Sequence, residues 1–171
     1  MTALPRTFVA VFVLALSGFA LSGCGLFGGG RAADTPPGAG PEAPAGPTGP
    51  ATVELSGTAT MNAGGNAARV FLYPLSSDAT FLSTPAQVFW DDPAAALGSD
   101  VVGVMRDATV RPGDTATLGD VALGAAAFLG IAVDLRAPEG TSWRAVVPAA
   151  SVRGQTLTVT VDEKGLRVAP R

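Results

Sequence analysis

The sequence contains no histidine and only one cysteine in its 171 residues. Histidine is the commonest general base and the commonest metal ligand, so its absence excludes the Ser–His and Cys–His pairs of nucleophilic catalysis. A single cysteine cannot form a disulfide bond within the chain.

The lone cysteine, Cys24, follows an N-terminus that has the features of a signal peptide. Arg6 supplies a positive charge, residues 8–20 (FVAVFVLALSGFA) are apolar, and residues 21–24 read LSGC. The apolar run has the length of a secretory signal, and small residues interrupt it too soon for a membrane-spanning helix. LSGC resembles the bacterial lipobox, whose cysteine receives a diacylglyceryl group before cleavage. We expect lipidation at Cys24; the alternative is an incidental cysteine in an ordinary signal peptide.

Acyl chains at Cys24 would tether the mature protein to a membrane, because two or three chains hold firmly where one binds only marginally. In many lipoproteins an Asp after the cysteine retains the protein at the inner membrane. The residue here is Gly25, so this sorting rule favours the outer membrane, with the protein facing the periplasm.

The charge of the mature form is weak and acidic. Removal of Arg6 leaves 10 basic and 14 acidic side chains, a net charge of about −4. Nucleic-acid binding requires a basic footprint, and anionic lipid is recognised by basic clusters. We therefore expect no nucleic-acid partner, and nothing in the sequence indicates a cofactor, a metal site or a small-molecule substrate.

The composition divides the chain into three parts. Residues 1–23 form the predicted signal peptide, residues 24–50 a lipidated N-terminus with a Gly/Pro/Ala-rich linker, and residues 51–171 a folded domain. The linker has no apolar period, which is typical of a flexible coil. Residues 25–50 would span about 28 Å as such a coil.

Alternation of apolar and polar residues predicts β-strands after residue 50. Residues 53–61 (VELSGTATM) alternate throughout, as expected for a half-buried strand that extends to Met61. Residues 127–135 and 69–75 are apolar on both faces, which predicts two central strands. Residues 156–162 alternate like the first strand, and shorter strands are predicted at residues 143–147 and 165–169. With the runs on either side of the RPGD turn (residues 111–114), seven or eight strands result. Their spacing favours one all-β sandwich.

Two short helices interrupt this pattern between Pro85 and Leu97. Thr84 before Pro85, and Asp92 before Pro93, each place a capping side chain ahead of a proline, which is a signal for a helix start. Near the C-terminus, residues 162–165 (DEKG) predict a hairpin turn, with Gly165 at a position that needs positive φ.

Three groups of residues are candidates for chemistry, and the first two have a structural alternative. Asp91 and Asp92 form an adjacent carboxylate pair, although Asp92 is better explained as a helix cap. Trp90 and Trp143 would be either sugar-stacking platforms or packing residues. An enzyme would need carboxylates brought together from Asp91, Asp107, Asp120 and Asp134.

The order of several short motifs resembles a known family. Residues 71–75 read FLYPL, Phe81 follows, and a helical stretch ends at Leu97-Gly98. The Pro-Gly turn at residues 112–113 comes next. Residues 128–136 (FLGIAVDLR) and the Trp143-Arg144 pair complete the series. Together with the lipobox, this series resembles the outer-membrane lipoprotein of the type VI secretion system, the TssJ (SciN/VasD-like) family.

The resemblance implies a transthyretin-like β-sandwich with a short helical insertion and no enzymatic activity. It also implies a structural role in the membrane complex: binding the periplasmic C-terminal domain of TssM, with TssL connected indirectly through that complex. In the family, the loop between the first two strands contributes to that contact. The corresponding residues are Asn62, Ala63, Gly64, Gly65 and Asn66.

Two alternatives remain open from the sequence. The loop at residues 62–68 (NAGGNAA) is short, uncharged and Gly-rich, whereas family members often carry a longer, charged loop. It would serve equally as a plain strand connection. The protein as a whole would alternatively be a generic envelope lipoprotein whose sandwich binds a glycan or small molecule, in a pocket lined by Trp90 or Trp143.

Overall fold

Two four-stranded sheets pack face to face in the computed structural model, which describes residues 48–171. The predicted all-β sandwich of seven or eight strands is thus confirmed, with eight. Its strands are β1 (Ala51–Gly57), β2 (Ala68–Leu75), β3 (Arg106–Val110), β4 (Thr115–Val121), β5 (Phe128–Val133), β6 (Arg144–Pro148), β7 (Thr156–Val161) and β8 (Leu166–Pro170). One sheet has the order β4-β1-β7-β8 and the other the order β3-β2-β5-β6.

Strict alternation in β1 and β7 builds the inner face of the first sheet. The fully buried residues are Val53 and Leu55 in β1 and Val159 and Val161 in β7. The alternate residues of these strands carry hydroxyl or carboxylate side chains and are half-buried. The two strands pair in parallel, and β1 pairs antiparallel with β4 on its other side. Period-two patterning therefore predicts this half of the core correctly.

The first strand ends four residues earlier than its pattern predicts. β1 stops at Gly57, and Ala59 is exposed. A Cβ on Gly57 would lie 2.4 Å from the carbonyl oxygen of Arg111. The close approach of the turn between β3 and β4, which lie in different sheets, thus coincides with the end of the strand.

The second sheet is buried on both faces at its centre. β5 lies between β2 and β6, and every residue from Leu129 to Val133 is buried. Its inner face packs on the first sheet. A set of short helices between β2 and β3 contributes buried apolar residues to the core. The predicted central strands are thus confirmed. Burial on both faces explains why the sequence of β5 is apolar at successive positions.

These helices form the helical insertion. They are α2 (Ala79–Ser83), α3 (Ala86–Asp91) and α4 (Pro93–Leu97), followed by the 3-10 turn Gly98–Asp100. The two predicted helices are present as α3 and α4, whereas α2 and the 3-10 turn were not predicted. Asp92 caps its helix as expected, accepting a 3.0 Å hydrogen bond from the backbone N–H of Ala95. Thr84 does not cap the helix that follows it; its hydroxyl donates back to the carbonyl of Thr80 at 2.7 Å. Two further short helices lie outside the insertion: α1 (Met61–Gly64), which is irregular at residues 62 and 63, between β1 and β2, and α5 (Ala149–Val152) between β6 and β7.

The β7–β8 hairpin is confirmed, but the reason for its glycine is different. Gly165 does not have positive φ. A Cβ at this position would lie 2.6 Å from the carbonyl oxygen of Ser142, so the glycine permits a close backbone approach. Asp162 makes the turn by accepting 2.9 Å hydrogen bonds from the N–H groups of Lys164 and Gly165.

Candidate functional site

The connection between β1 and β2 (residues 58–67) is a structured turn; we call it the β1–β2 turn. Asn62 and Ala63 both have left-handed backbone angles, with φ of 48° and 57°. Such angles cost non-glycine residues energy, so the surrounding contacts must hold them. The N–H of Asn62 donates to the carbonyl of Asp162 at 3.1 Å, and the N–H of Gly65 donates to Met61 at 2.8 Å.

The side chain of Asn62 explains how this geometry is maintained. It is 3% exposed. Its amide nitrogen donates to the carbonyl of Ala67 at 2.8 Å, and its oxygen accepts from the N–H of Arg136 at 2.8 Å. Asn62 therefore joins its own turn to the loop between β5 and β6 and to the β7–β8 hairpin. A buried amide with both ends bonded is a structural residue.

The other predicted partner-binding residues differ in exposure. Ala63, Gly64 and Gly65 are exposed, and Asn66 is half-buried. The side-chain amide of Asn66 donates 3.0 Å hydrogen bonds to the carbonyls of Asn62 and Ala63. Of the predicted residues, the turn thus exposes Ala63–Gly65 on a framework held by the two asparagines, and the buried Asn62 side chain is not part of that exposed surface.

This surface lies at the end of the sandwich away from the point where the chain enters. Residues 48–50 lead into β1 at Ala51, and Gly154 binds the carbonyl of Pro50 at 2.9 Å. β1 then runs to Gly57, immediately before the turn. A seven-residue strand spans about 23 Å. We call the end at which the chain enters the tether end, and the end that carries the β1–β2 turn the distal end.

An aromatic cluster lies between the helical insertion and the second sheet. Phe89 is central, with ring centroids 4.9 Å from both Trp90 and Trp143. Trp143 is 1% exposed. Trp90 is half-buried within the same cluster. The packing alternative for the tryptophans is therefore the one that the structure supports.

Arg144 fastens the insertion to this cluster. Its guanidinium carbon lies 4.8 Å from the Trp143 ring centroid. The same group donates to the carbonyls of Phe81, Leu82 and Thr84, where α2 ends. Desolvation lowers the pKa of Arg144 from its ordinary value. The Trp143-Arg144 pair is visible in the sequence as a motif, but nothing in the sequence indicates which carbonyls the arginine binds.

A shallow apolar groove of about 440 Å³ opens beside the cluster. Phe71, Tyr73, Pro93, Val101 and Met105 are among its lining residues, and neither tryptophan is. Its acidic residue, Asp92, already caps α4. Tyr73 is 3% exposed, and burial, with a smaller contribution from Asp107, raises its pKa to about 12. The groove thus lacks the convergent polar groups expected of a glycan site lined by tryptophan.

The acidic residues considered for catalysis each serve a local purpose or face solvent. Asp107 forms a 2.7 Å ion pair with Arg69 across β2 and β3. Asp120 accepts a 2.9 Å hydrogen bond from the hydroxyl of Thr52. Asp91 and Asp134 are exposed. Within residues 48–171, no three Asp, Glu, His or Cys side chains group as a metal site would require.

Two sequence predictions fall outside the described residues: lipidation at Cys24 and sorting at Gly25. In the part of the chain that the structure describes, no helix is long and apolar enough to cross a membrane.

The fold and the comparisons define the class: a β-sandwich of the type VI secretion lipoproteins. The model of the family T6SS-SciN (Type VI secretion lipoprotein, VasD, EvfM, TssJ) matches residues 50–164, and the chain belongs to this family. The TssJ-family prediction is thereby confirmed. No curated protein matches the sequence.

Solved structures with the same fold include the crystal structure of the T6SS lipoprotein TssJ1 from Pseudomonas aeruginosa. It is 22% identical, with a TM-score of 0.63 over 73% of this chain and 97% of that one. A chain of a type VI membrane complex is 20% identical, with a TM-score of 0.65 over 72% and 99%. A chain of a structure described as the T6SS protein TssM C-terminal domain (869-1107) from EAEC is 19% identical, with a TM-score of 0.61 over 71% and 98%.

Proposed function

We propose that this protein is the outer-membrane-anchored lipoprotein of a type VI secretion membrane complex and that it docks the periplasmic domain of TssM. Its contribution is mechanical and not catalytic. Acyl chains on Cys24 hold it in the membrane, residues 25–50 set its reach, and the sandwich of residues 51–171 binds the partner. Gly25 favours retention at the outer membrane, and TssL is connected only through the rest of the complex.

The observation that carries this proposal is the position and rigidity of the β1–β2 turn. Its exposed surface, Ala63–Gly65, lies at the distal end, while the chain enters at the tether end. In a protein anchored through its N-terminus, this turn therefore lies at the end of the domain opposite the one that the tether joins. The fixed left-handed backbone also lowers the ordering cost of binding, because the turn is already held by Asn62.

The family and one solved relative support the choice of partner. The chain belongs to the type VI secretion lipoproteins, and a chain of a structure described by the TssM C-terminal domain has the same fold. The docking surface on this chain is our inference from the turn itself.

Binding to the TssM periplasmic domain from the same genome tests the proposal. Calorimetry with the mature lipoprotein in detergent would give the dissociation constant for the wild type, for Ala63→Arg and for Ala150→Arg. Both alanines are exposed, and Ala150 lies on α5. We expect Ala63→Arg to weaken binding by about tenfold or more and Ala150→Arg to leave it within about twofold.

The other outcomes are equally informative. Tight binding by all three proteins would place the docking surface elsewhere on the sandwich. No binding by the wild type would refute TssM docking. Mass spectrometry of the N-terminal peptide and fractionation of the envelope separately test acylation of Cys24 and location in the outer membrane.

A further inference from the structure

Exposed apolar side chains of the described domain are concentrated in one short segment. Residues 48–171 expose five large hydrophobic residues, and three of these lie between positions 102 and 105. Val104 is 76% exposed, Met105 43% and Val102 41%. We call these three residues the apolar ridge. Isolated exposed aliphatic residues are ordinary, whereas a cluster of this kind marks an interaction surface.

Pro74 accounts for the way in which the ridge leaves the sheet. Val101 forms an isolated bridge with Leu75, and the N–H of Val102 donates to the carbonyl of Pro74 at 3.0 Å. Proline has no N–H and cannot donate the second hydrogen bond of a regular pair. Regular pairing of β3 with this edge of β2 therefore begins only at Arg106. The side chains between these points are therefore turned outward beyond the edge of the sandwich.

The ridge lies at the tether end. A Cβ on Gly103 would lie 2.9 Å from the Pro74 ring and 3.7 Å from the carbonyl oxygen of Ala122. Ala122 in turn lines a shallow depression together with Gly49 and Pro50, through which the chain enters the domain. The ridge and the entry point of the tether are thus neighbours across Ala122.

We propose that the apolar ridge rests on the phospholipid surface to which the protein is anchored, with its aliphatic tips at the boundary between headgroups and acyl chains. This inference rests on the proposed lipidation of Cys24. A flexible coil of the 26 residues 25–50 would span about 28 Å, so an anchor at Cys24 would keep this end of the domain close to lipid. The tether would give the domain a high effective concentration at the lipid surface, so even a weak apolar contact with lipid would be occupied.

The neighbouring charge fits this occupant. Arg106 follows Met105 directly and is exposed, and the only polar contact of its side chain among the described residues is a marginal 3.5 Å approach to the carbonyl of Asp120. Its guanidinium is free to reach a lipid phosphate while the aliphatic tips lie deeper. Contact at the ridge would hold the sandwich with the β1–β2 turn directed away from the membrane.

Fluorescence quenching on the full lipoprotein tests this orientation. An environment-sensitive fluorophore would be attached at Val104→Cys, or at Ala63→Cys as the distal control, because acylated Cys24 has no free thiol. The proteins are reconstituted in vesicles of phosphatidylethanolamine with a minor fraction of phosphatidylglycerol and nitroxide-bearing lipids. We expect severalfold stronger quenching at position 104 than at position 63. Equal quenching at both positions, or none at either, would overturn the proposal.

A second pair of variants tests whether the ridge itself drives the contact. With the fluorophore at Ala122→Cys, the double substitution Val102→Ser and Val104→Ser should reduce quenching severalfold. Both valines are exposed, so the thermal unfolding midpoint should change little. Unchanged quenching would overturn the role of the ridge, because proximity would then come from the tether alone.

Other occupants and failure of the anchor give distinct results. A fluorophore at position 104 that becomes shielded from solvent only as the protein density on the vesicles rises would indicate a second copy. Shielding that requires the TssM domain would indicate a protein partner. Either result would overturn the lipid assignment. A chain without acyl groups would fail to float with vesicles and would take a second fluorophore at Cys24, which separates failure of the anchor from failure of the ridge.

Discussion

The side-chain oxygen of Asn62 accepts a 2.8 Å hydrogen bond from the backbone N–H of Arg136 across 74 positions of sequence. This bond joins the β1–β2 turn to the loop between β5 and β6. Because the same side chain also donates to Ala67, the shape of the proposed docking surface depends on one buried amide. We therefore expect stability and the proposed partner binding to be coupled at this residue.

Substitution of Asn62 should separate bonding from backbone strain. Asn62→Ala removes both side-chain bonds and keeps a Cβ at φ of 48°, so we expect a loss of about 2–3 kcal/mol in the free energy of unfolding. Asn62→Gly removes the same bonds but adopts this φ freely and should lose about 1 kcal/mol less. Urea denaturation measures both. Equal losses would mean that the left-handed angle stores little strain.

Arg144 should control the order of the helical insertion more than the stability of the sheets. Arg144→Gln leaves the carbonyls of Phe81, Leu82 and Thr84 without their charged donor, and we expect a loss of about 2 kcal/mol. Hydrogen exchange should accelerate in α2 before it does in β5. Arg106→Gln, whose contact is marginal, is the matched control. Uniform acceleration throughout the domain would contradict this local role.

Tyr73 carries a buried hydroxyl that has no hydrogen-bond partner among the described residues. Tyr73→Phe should therefore be neutral or stabilise the protein by up to about 1 kcal/mol, because it removes an unsatisfied polar atom and keeps the ring packing. Tyr73→Ala should lose about 3–5 kcal/mol, since it leaves a cavity among Phe71, Phe81 and Phe89. A marked loss in the phenylalanine variant would reveal a bond that the hydroxyl makes in solution.

The pKa of Tyr73 provides an independent check on that burial. The chain has a single tyrosine, so ultraviolet absorbance of tyrosinate reports Tyr73 alone. Burial raises its pKa to about 12, which places ionisation well above the ordinary value of 10.0. A midpoint near the ordinary value in the folded protein would mean that solvent reaches the hydroxyl through the groove.

The sequence predicted the sheets better than the turns, for physical reasons. Alternation in β1 and β7 follows from a two-residue side-chain repeat, which is local information. The end of β1 at Gly57 and the requirement for Gly165 come from close approach of Arg111 and Ser142, which are distant in sequence. The left-handed turn at Asn62 likewise depends on Arg136 and Asp162. Composition alone indicated only a short Gly-rich loop there.

The candidate sites also divide into those set by local sequence and those set by contacts between distant segments. Cys24 and Gly25 are indicated by a local motif, so they can be predicted from the sequence alone, and both stay predictions. The exposed surface Ala63–Gly65 and the apolar ridge are defined by which segments meet at each end of the sandwich. Val102 and Val104 belong to an apolar run that could equally have been a buried strand, and only the pairing limit imposed by Pro74 turns them outward.

Asp162 should make stability depend on acid pH. Burial alone would raise the pKa of this carboxyl, but the N–H groups of Lys164 and Gly165 and the charge of Arg167 outweigh burial and lower it. The folded state therefore binds this proton less readily than the unfolded state does. The stabilisation is fully present above the ordinary value of 3.8 and is lost as the pH falls through the lower folded value.

Asp162→Ala should accordingly cost about 1–2 kcal/mol at neutral pH, because the turn loses two backbone bonds and the 2.9 Å ion pair with Arg167. The difference from the wild type should shrink as the pH falls below the ordinary carboxyl range, where the carboxyl of the unfolded chain is already protonated. Urea denaturation across this pH range measures it, with Glu163→Ala, an exposed neighbour in the same turn, as control. A loss that stays constant with pH would assign the effect to turn geometry and not to the charge of Asp162.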